Sequence, residues 1–473
     1  MKVTSNCTKN IELIHSHLVV DKSFDIVERK MIIGGRDSVL YYINGFIKDD
    51  VMEEILKSFF KLSAENMDSF EDAEEFMLKQ IPHVSVEKED DLEKIIDTLL
   101  SGQTILYIDQ YKYFFVLDLR TYPGTDSSEP EKEKTLRGSR DAFIEKLIFN
   151  IGFVRRRIRD PRLVFEIHQI GKISKTDVCI AYIDGIADEK MRKKIENTLL
   201  NIDLNALTVG DQSLVDTMTK ATYFTPFPKV RFTERPDVTA AHLVEGKFAI
   251  FVDNSPNVII LPTTFFDFTQ DINDYYFPLF TGNYLRLIRN LTILATIFLI
   301  PIFLLYINGS ITLPSFFDFI KPDSDYNIPM FWQFIILEFA IDGLKLASLN
   351  TPSPLGSSLS VIGGLIIGEY TINTGWFTDD SILYMSVVAL AGFSQPSIEM
   401  TYACKFTRVF LLICSQIFGL AGLIIGTIIV IIVMARTKTI IGEPYFYPLV
   451  PFNWRKLKTL LFRTKTSKKV QES

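Results

Sequence analysis

At 473 residues the chain exceeds one typical domain. Its formal net charge of −7 lacks the basic surplus needed to neutralise nucleic-acid phosphates, which argues against a nucleic-acid partner. The four cysteines (Cys7, Cys179, Cys404 and Cys414) are scattered and form no CxxC pair, which argues against a structural zinc centre.

Residues 1–23 are polar and contain no apolar run of the kind a cleavable secretion signal needs. The soluble part is therefore expected on the cytoplasmic side, in a reducing compartment. His15 and His17 could share one strand face, but two ligands fall short of a metal site, and no metal or cofactor is expected.

Up to about residue 285 charged and apolar stretches alternate, as in a water-soluble fold. Tyr42-Ile43-Asn44-Gly45 recurs as Tyr182-Ile183-Asp184-Gly185, an offset of 185 − 45 = 140. Strand-like runs precede each copy, at 24–33 and 164–173, and acidic helix starts follow, at Asp49-Asp50 and Asp188-Glu189. Gly102 and Gly246 each open a further pair of strands, at 104–108 with 113–119 and at 248–252 with 257–261. The spacing predicts two similar α+β subdomains of order β-β-α-…-β-β, at 24–124 and 141–285. Between them, residues 125–140 are rich in charge and read as a solvated linker. Asn44-Gly45 and Asp184-Gly185 read as turns that need positive φ. Neither GxGxxG nor GxxxxGK[ST] occurs, so phosphate-cradling chemistry is unsupported and no catalytic residue is assigned.

Arg155, Arg156 and Arg157 lie on the helix that leads into the second copy. They suit either acidic lipid headgroups or a subunit interface, with a solvated face as the plain alternative.

From 291 to 434 charge is sparse. The apolar stretch 291–307, flanked by Arg286 and Arg289, is long enough to span a bilayer with its arginine end inside. The stretch 410–434 reads as a second span, and the basic tail 436–473 is placed in the cytoplasm as well. Three weaker segments, 328–346, 357–368 and 381–393, lie between. Two ends on one side need an even number of crossings, so one of the five segments is expected to be re-entrant. The choice falls on 331–346, because Glu338, Asp342 and Lys345 make lipid burial costly. The helical membrane region is set at 286–435.

As a helix turning about 100° per residue, 357–369 collects Ser357, Ser360, Gly364 and Gly368 on one face, where small side chains favour close packing. Ser358, Ile362, Leu365 and Glu369 fall opposite and suit a pore lining with an apolar constriction and an acidic ring.

Several motifs then resemble a known family. They are Glu234-Arg235-Pro236-Asp237, Leu243-Val244-Glu245-Gly246, Val252-Asp253-Asn254-Ser255-Pro256, Pro262-Thr263-Thr264-Phe265-Phe266-Asp267, Asp274-Tyr275-Tyr276, Gly363-Gly364-Leu365-Ile366-Ile367-Gly368, Pro396-Ser397-Ile398-Glu399 and Pro448-Leu449-Val450-Pro451-Phe452. Together they resemble the A subunits of GerA-type spore germination receptors over roughly residues 24–460. Ile33-Gly34-Gly35-Arg36 and Phe149-Asn150 point to a subgroup associated with amplifying germination. The resemblance implies a protein of the spore inner membrane that forms homo-oligomers and releases cations early in germination. Its implied partners are a transporter-like B subunit and a lipoprotein C subunit, or a different small membrane protein for the amplifying subgroup. A non-enzymatic cation channel subunit is the reading carried forward. A secondary transporter and a signalling scaffold are the alternatives, the former weakened because the membrane part is small and shows no inverted repeat.

Overall fold

The computed structural model describes residues 2–70, 72–82, 85–122, 129–130, 133–219, 225–312, 314, 327–350, 363–364, 369 and 371–463. They form two compact units, one on Met1–Ala221 with Val230–Pro262 and one on Thr222–Lys229 with Thr263–Val470.

The first unit is the expected duplication. The first copy runs α1 (Cys7–His17), β1 (Ile26–Ile33), β2 (Arg36–Ile43), α2 (Asp49–Phe60), α3 (Ala64–Asp68), α4 (Ala73–Gln80), β3 (Val86–Glu89), α5 (Leu92–Leu100), β4 (Thr104–Ile108) and β5 (Phe114–Leu117). The second runs α6 (Leu147–Arg157), β6 (Leu163–Ile170), β7 (Thr176–Ile183), α7 (Glu189–Leu200), α8 (Gly210–Met218), β8 (Arg231–Thr233), α9 (Pro236–Val244), β9 (Phe248–Val252) and β10 (Val258–Leu261). Their antiparallel sheets have matching orders, β1-β2-β4-β5-β3 and β6-β7-β9-β10-β8. The short outer strands β3 and β8 carry little alternation and are not readable from the sequence.

Helices cover both faces of the first sheet, so alternation inverts into continuous burial, and every residue of β4 is buried. Leu92, Ile95, Ile96, Leu99 and Leu100 form the apolar stripe of α5 and pack with Val39, Tyr41 and Tyr107. Met52, Ile55 and Phe59 of α2 pack on the other face with Leu40, Leu106 and Ile108. Each such side chain contributes about 1.5–3 kcal/mol. Gly45 and Gly185 take φ of 82° and 78°, as the turn reading requires.

Residues 1–23, set apart in the sequence as a polar segment, supply a working part of the first copy. His15 and His17 lie on helix α1, not on a strand, and Ile14 is buried in the first core. α1 is the counterpart of α6. Asn10 donates to the Thr4 carbonyl at 2.8 Å and accepts from the Thr4 N–H at 2.9 Å. Asn150 makes the same pair with Ile144, at 2.5 and 2.9 Å. The first N–H of each helix donates to an aspartate after the fourth strand, Cys7 to Asp109 at 2.8 Å and Leu147 to Asp253 at 3.3 Å.

The second unit is helical: α10 (Asn273–Tyr276), α11 (Leu279–Ile307), α12 (Met330–Asn350), α13 (Asp379–Phe393), α14 (Ile398–Arg436) and α15 (Trp454–Leu461). Among the described residues two helices are long and apolar enough to cross a bilayer, α11 and α14, with mean hydropathy 2.3 and 2.9 over an 18-residue window of each. α14 is not one rod. Gly419 has φ 61° and ψ −142°, outside the helical region. Gly422 lies against the Cys414 carbonyl with no room for a Cβ, and a Cβ on Gly426 would meet Leu411 at 2.9 Å. In a straight helix residues 411 and 426 would be about 22 Å apart. Farther down, Met434 shares a core with Met400 and Ala403. The pairs 414/422, 411/426 and 400/434 define an antiparallel hairpin of two arms, 398–418 and 420–436.

The stretch 410–434 therefore falls on both arms of this hairpin, not on the one straight helix expected. The segment 331–346, expected to be re-entrant, lies within the continuous helix α12. α11 runs from a base to a far end, where Asn308 meets Gln416 at 3.4 Å. α12 and α13 both start at that far end, where the Thr378 N–H donates to Gln333 at 3.0 Å. Both finish near the base, where Lys345 lies over the Phe393 and Tyr402 rings. Asn350 and Thr371 consequently lie at opposite ends of the bundle.

Candidate functional site

Four charged side chains meet inside the apolar bundle. Glu338 and Asp342 stand four residues apart on one face of α12, and Lys405 and Arg408 stand three apart on the facing arm of α14. Arg408 reaches Glu338 Oε1 through Nε at 2.6 Å and through Nη2 at 2.5 Å. Its Nη1 donates to the Thr296 carbonyl of α11 at 2.9 Å. Lys405 pairs with Asp342, and its Nζ lies 3.6 Å from Glu338 Oε2. One network thus ties α11, α12 and α14 together. Loss of one partner in such a buried pair costs about 3–5 kcal/mol, because a bare charge is left behind. The expected cost of the α12 charges in lipid is thereby removed, and Lys405 and Arg408 face inward.

Beside the network is a cavity of about 30 Å³, room for one water, lined by Thr296, Glu338, Asp342, Lys345, Lys405 and Arg408 among others. Three cations here face two carboxylates, so the cavity repels a cation. Its chemistry is that of a joint between helices. The charges are visible in the sequence at i,i+4 and i,i+3 spacing in two apolar segments, but which segments face each other is not.

Of the pore-lining candidates, Ser358, Ile362 and Leu365 lie outside the described residues, and Glu369 is exposed. The arginine run resolves into three roles inside the first unit. Arg155 is fully buried and holds Asp25 at 2.6 Å through Nε, tying α6 to the first copy. It cannot meet lipid or a partner, contrary to both expectations for it. Arg156 is exposed and stacks on Tyr122 at 4.6 Å, and Arg157 binds Asp141 at 2.7 Å.

The sequence also gave no sign of what Glu234-Arg235-Pro236-Asp237 does. Arg235 is fully buried, chelated by Asp237, and donates to the carbonyls of Glu133 and Ser139 at 3.0 and 2.9 Å. From Glu133 onward the expected solvated linker is pinned to the second copy. On the outer face of the second sheet, ligand atoms of Glu166, His168 and Glu196 come within 4.8 Å of one another. Arg192 already balances them, at 3.4 Å from Glu166 and 3.1 Å from Glu196. Burial pushes the Cys7 thiol up to about 11, which keeps it a thiol and unreactive.

The family described as "Bacillus/Clostridium GerA spore germination protein" matches residues 14–472. Stage V sporulation protein AF of Bacillus subtilis (strain 168) is 35% identical over 474 residues, covering 100% of this chain and 96% of that protein. Spore germination protein A1 of the same organism is 26% identical, covering 98% of this chain and 96% of that one. Among solved structures, the N-terminal domain of the A subunit of the Bacillus megaterium spore germinant receptor GerK3 is 28% identical, covering 56% of this chain and 98% of that chain with a TM-score of 0.43.

Proposed function

The chain belongs to the GerA family of spore germination proteins, and from that premise we propose that it is a membrane subunit of a spore germination complex that oligomerises into a cation channel. The channel opens during germination or amplifies the response. The observation that supports this reading is the helical bundle, where each buried carboxylate of α12 has a cation of α14 as its partner while Asn350 and Thr371 lie at opposite ends. Between these two residues the sequence carries the stripe Ser358, Ile362, Leu365 and Glu369, the candidate cation path in this reading.

The proposed home is the spore inner membrane, with both termini cytoplasmic. In support, the base carries Arg436, Lys438, Arg455, Lys456 and Lys458, while the far end carries Asp379, Asp380 and the exposed Trp332 and Trp376. The partners proposed are copies of itself and either receptor B and C subunits or a small membrane protein.

The test is cation flux from liposomes holding the purified protein. Downhill flux without substrate supports a channel. A transporter would need its substrate, and a scaffold would pass nothing. Ile362→Ala is expected to raise the basal leak about tenfold if an apolar constriction gates the path. Glu369→Lys is expected to lower cation preference. Vesicles that stay as tight as the parent at equal protein content place the gate elsewhere.

A further inference from the structure

We propose that α15 and the residues leading into it form a docking surface for anionic phospholipid headgroups at the base of the bundle. The inference rests on the reading that the bundle sits in a bilayer, and it adds which lipid and which residues.

Leu457 is buried and Leu460 and Leu461 are half-buried, so one face of α15 is seated on the protein. The rest of its surface is basic, with Arg455, Lys456 and Lys458 all exposed. No carboxylate pairs with these three among the described residues. Beside them Phe452 and Trp454, 66% and 62% exposed, stack at 6.4 Å, and Val450 is exposed as well. Leaving large aromatic rings in water is costly, and of the cations beside them Lys456 lies over the Tyr447 ring at 5.5 Å. The same arrangement is favourable at a membrane surface, where rings enter the acyl boundary and cations meet phosphate.

A set of arginines fixes the height of this surface. Arg286 Nη1 donates to the carbonyls of Thr459 and Leu460, at 3.3 and 2.9 Å, and so holds the C-terminal end of α15. Asp274 is fully buried and takes Arg289 through both carboxylate oxygens, at 2.7 and 2.9 Å. Arg463 donates to the carbonyls of Asp274 and Phe277, at 2.8 and 2.7 Å, and its N–H donates to Asn283 at 2.6 Å. α15 is thereby seated beside residues 283–289 of α11, just before the charge-poor stretch begins at 291. Phe280 and Tyr284, in the first two turns of α11, are exposed as well. That level is where headgroups meet a spanning helix, and the complement of an unpaired basic patch there is an anionic headgroup.

The protein has three tryptophans, Trp332, Trp376 and Trp454, which makes the idea measurable in the full chain. Trp332→Phe with Trp376→Phe leaves Trp454 as the sole reporter. The variant is reconstituted into vesicles of matched phosphatidylglycerol and phosphatidylcholine content, with one lipid or the other brominated. Brominated phosphatidylglycerol is expected to quench Trp454 about twofold more than brominated phosphatidylcholine, since each nearby basic residue strengthens the attraction roughly fivefold. Arg455→Gln with Lys456→Gln and Lys458→Gln should equalise the two. Equal quenching in the unsubstituted tail overturns the proposal, whatever the triple variant does. A control with Trp376→Phe and Trp454→Phe keeps Trp332 at the far end. Quenching of Trp332 but not Trp454 overturns the lipid surface alone. Silence at both overturns the bilayer reading together with it.

Discussion

The two copies in the first unit keep one framework and differ in what covers one face. Asn10 and Asn150 clasp the chain six residues upstream, Asp109 and Asp253 receive the first N–H of α1 and α6, and Gln110 and Asn254 both take positive φ. On the outer face, by contrast, Met31, Met52 and Leu56 of the first copy are matched by His168, Arg192 and Glu196 of the second, counted from the start of each strand and helix. The shared parts are bonds to backbone, which no change of side-chain chemistry can replace. The divergent face holds by packing, and packing can be traded for charge if the charges balance.

The strongest test of that contrast is Arg155, which stands where the first copy has His15. His15 stays within its own copy, bound to Glu28 at 2.6 Å, whereas Arg155 reaches back to Asp25 of the first. Arg155→Ala should cost about 3–5 kcal/mol in urea unfolding, because Asp25 is left buried and bare. A loss under about 1 kcal/mol would mean that the copies do not depend on this pair. Next, His168→Met with Arg192→Met and Glu196→Leu imports the apolar set of the first copy. It should be close to neutral, within about 1 kcal/mol, because Glu166 keeps the Tyr182 hydroxyl at 2.6 Å. Arg192→Met alone should destabilise, since Glu166 and Glu196 lose their shared cation. A destabilised triple variant would show that the polar face is more than an exchange for packing.

The turn glycines separate the copies more finely. Alanine at either Gly45 or Gly185 takes a positive φ at about 1–2 kcal/mol. At Gly45 its Cβ would also meet Ile148 Cγ2 at 2.8 Å, while at Gly185 nothing lies within 4 Å. Gly45→Ala should therefore lower the melting temperature further than Gly185→Ala. The smallest effect is on acid stability. Hydrogen bonds from Arg120 hold the Asp118 carboxyl down at about 2, whereas the second copy has Pro262 at that point. A depressed carboxylate stabilises above its unfolded value near 4 and loses that contribution as pH falls toward 2. Asp118→Asn should flatten the acid limb by roughly 0.5 kcal/mol, since the pair is partly exposed.

Much of this framework is legible in the sequence, because alternation, turn glycines and the 140-residue offset report backbone demands directly. α1 escaped notice because its match to α6 rests on one asparagine and a few apolar positions, with different residues between. The hairpin escaped because hydropathy sums side chains without regard to direction: 410–434 is uniformly apolar, and only the backbone at Gly419 reveals the reversal. The Arg155–Asp25 and Arg235–Glu133 contacts span 130 and 102 residues, a range no local pattern encodes. Lys405 and Arg408 were visible as charges, but their pairing requires knowing which helices are neighbours.

The reversal at Gly419 also governs how the chain can be tagged. Because the two arms return to one end, reporters fused after Ser397, Gly419 and Thr437 are expected to sample one compartment, the opposite one and the first again. A reporter whose signal depends on the compartment would thus switch and switch back within a stretch that a hydropathy profile draws as a single peak.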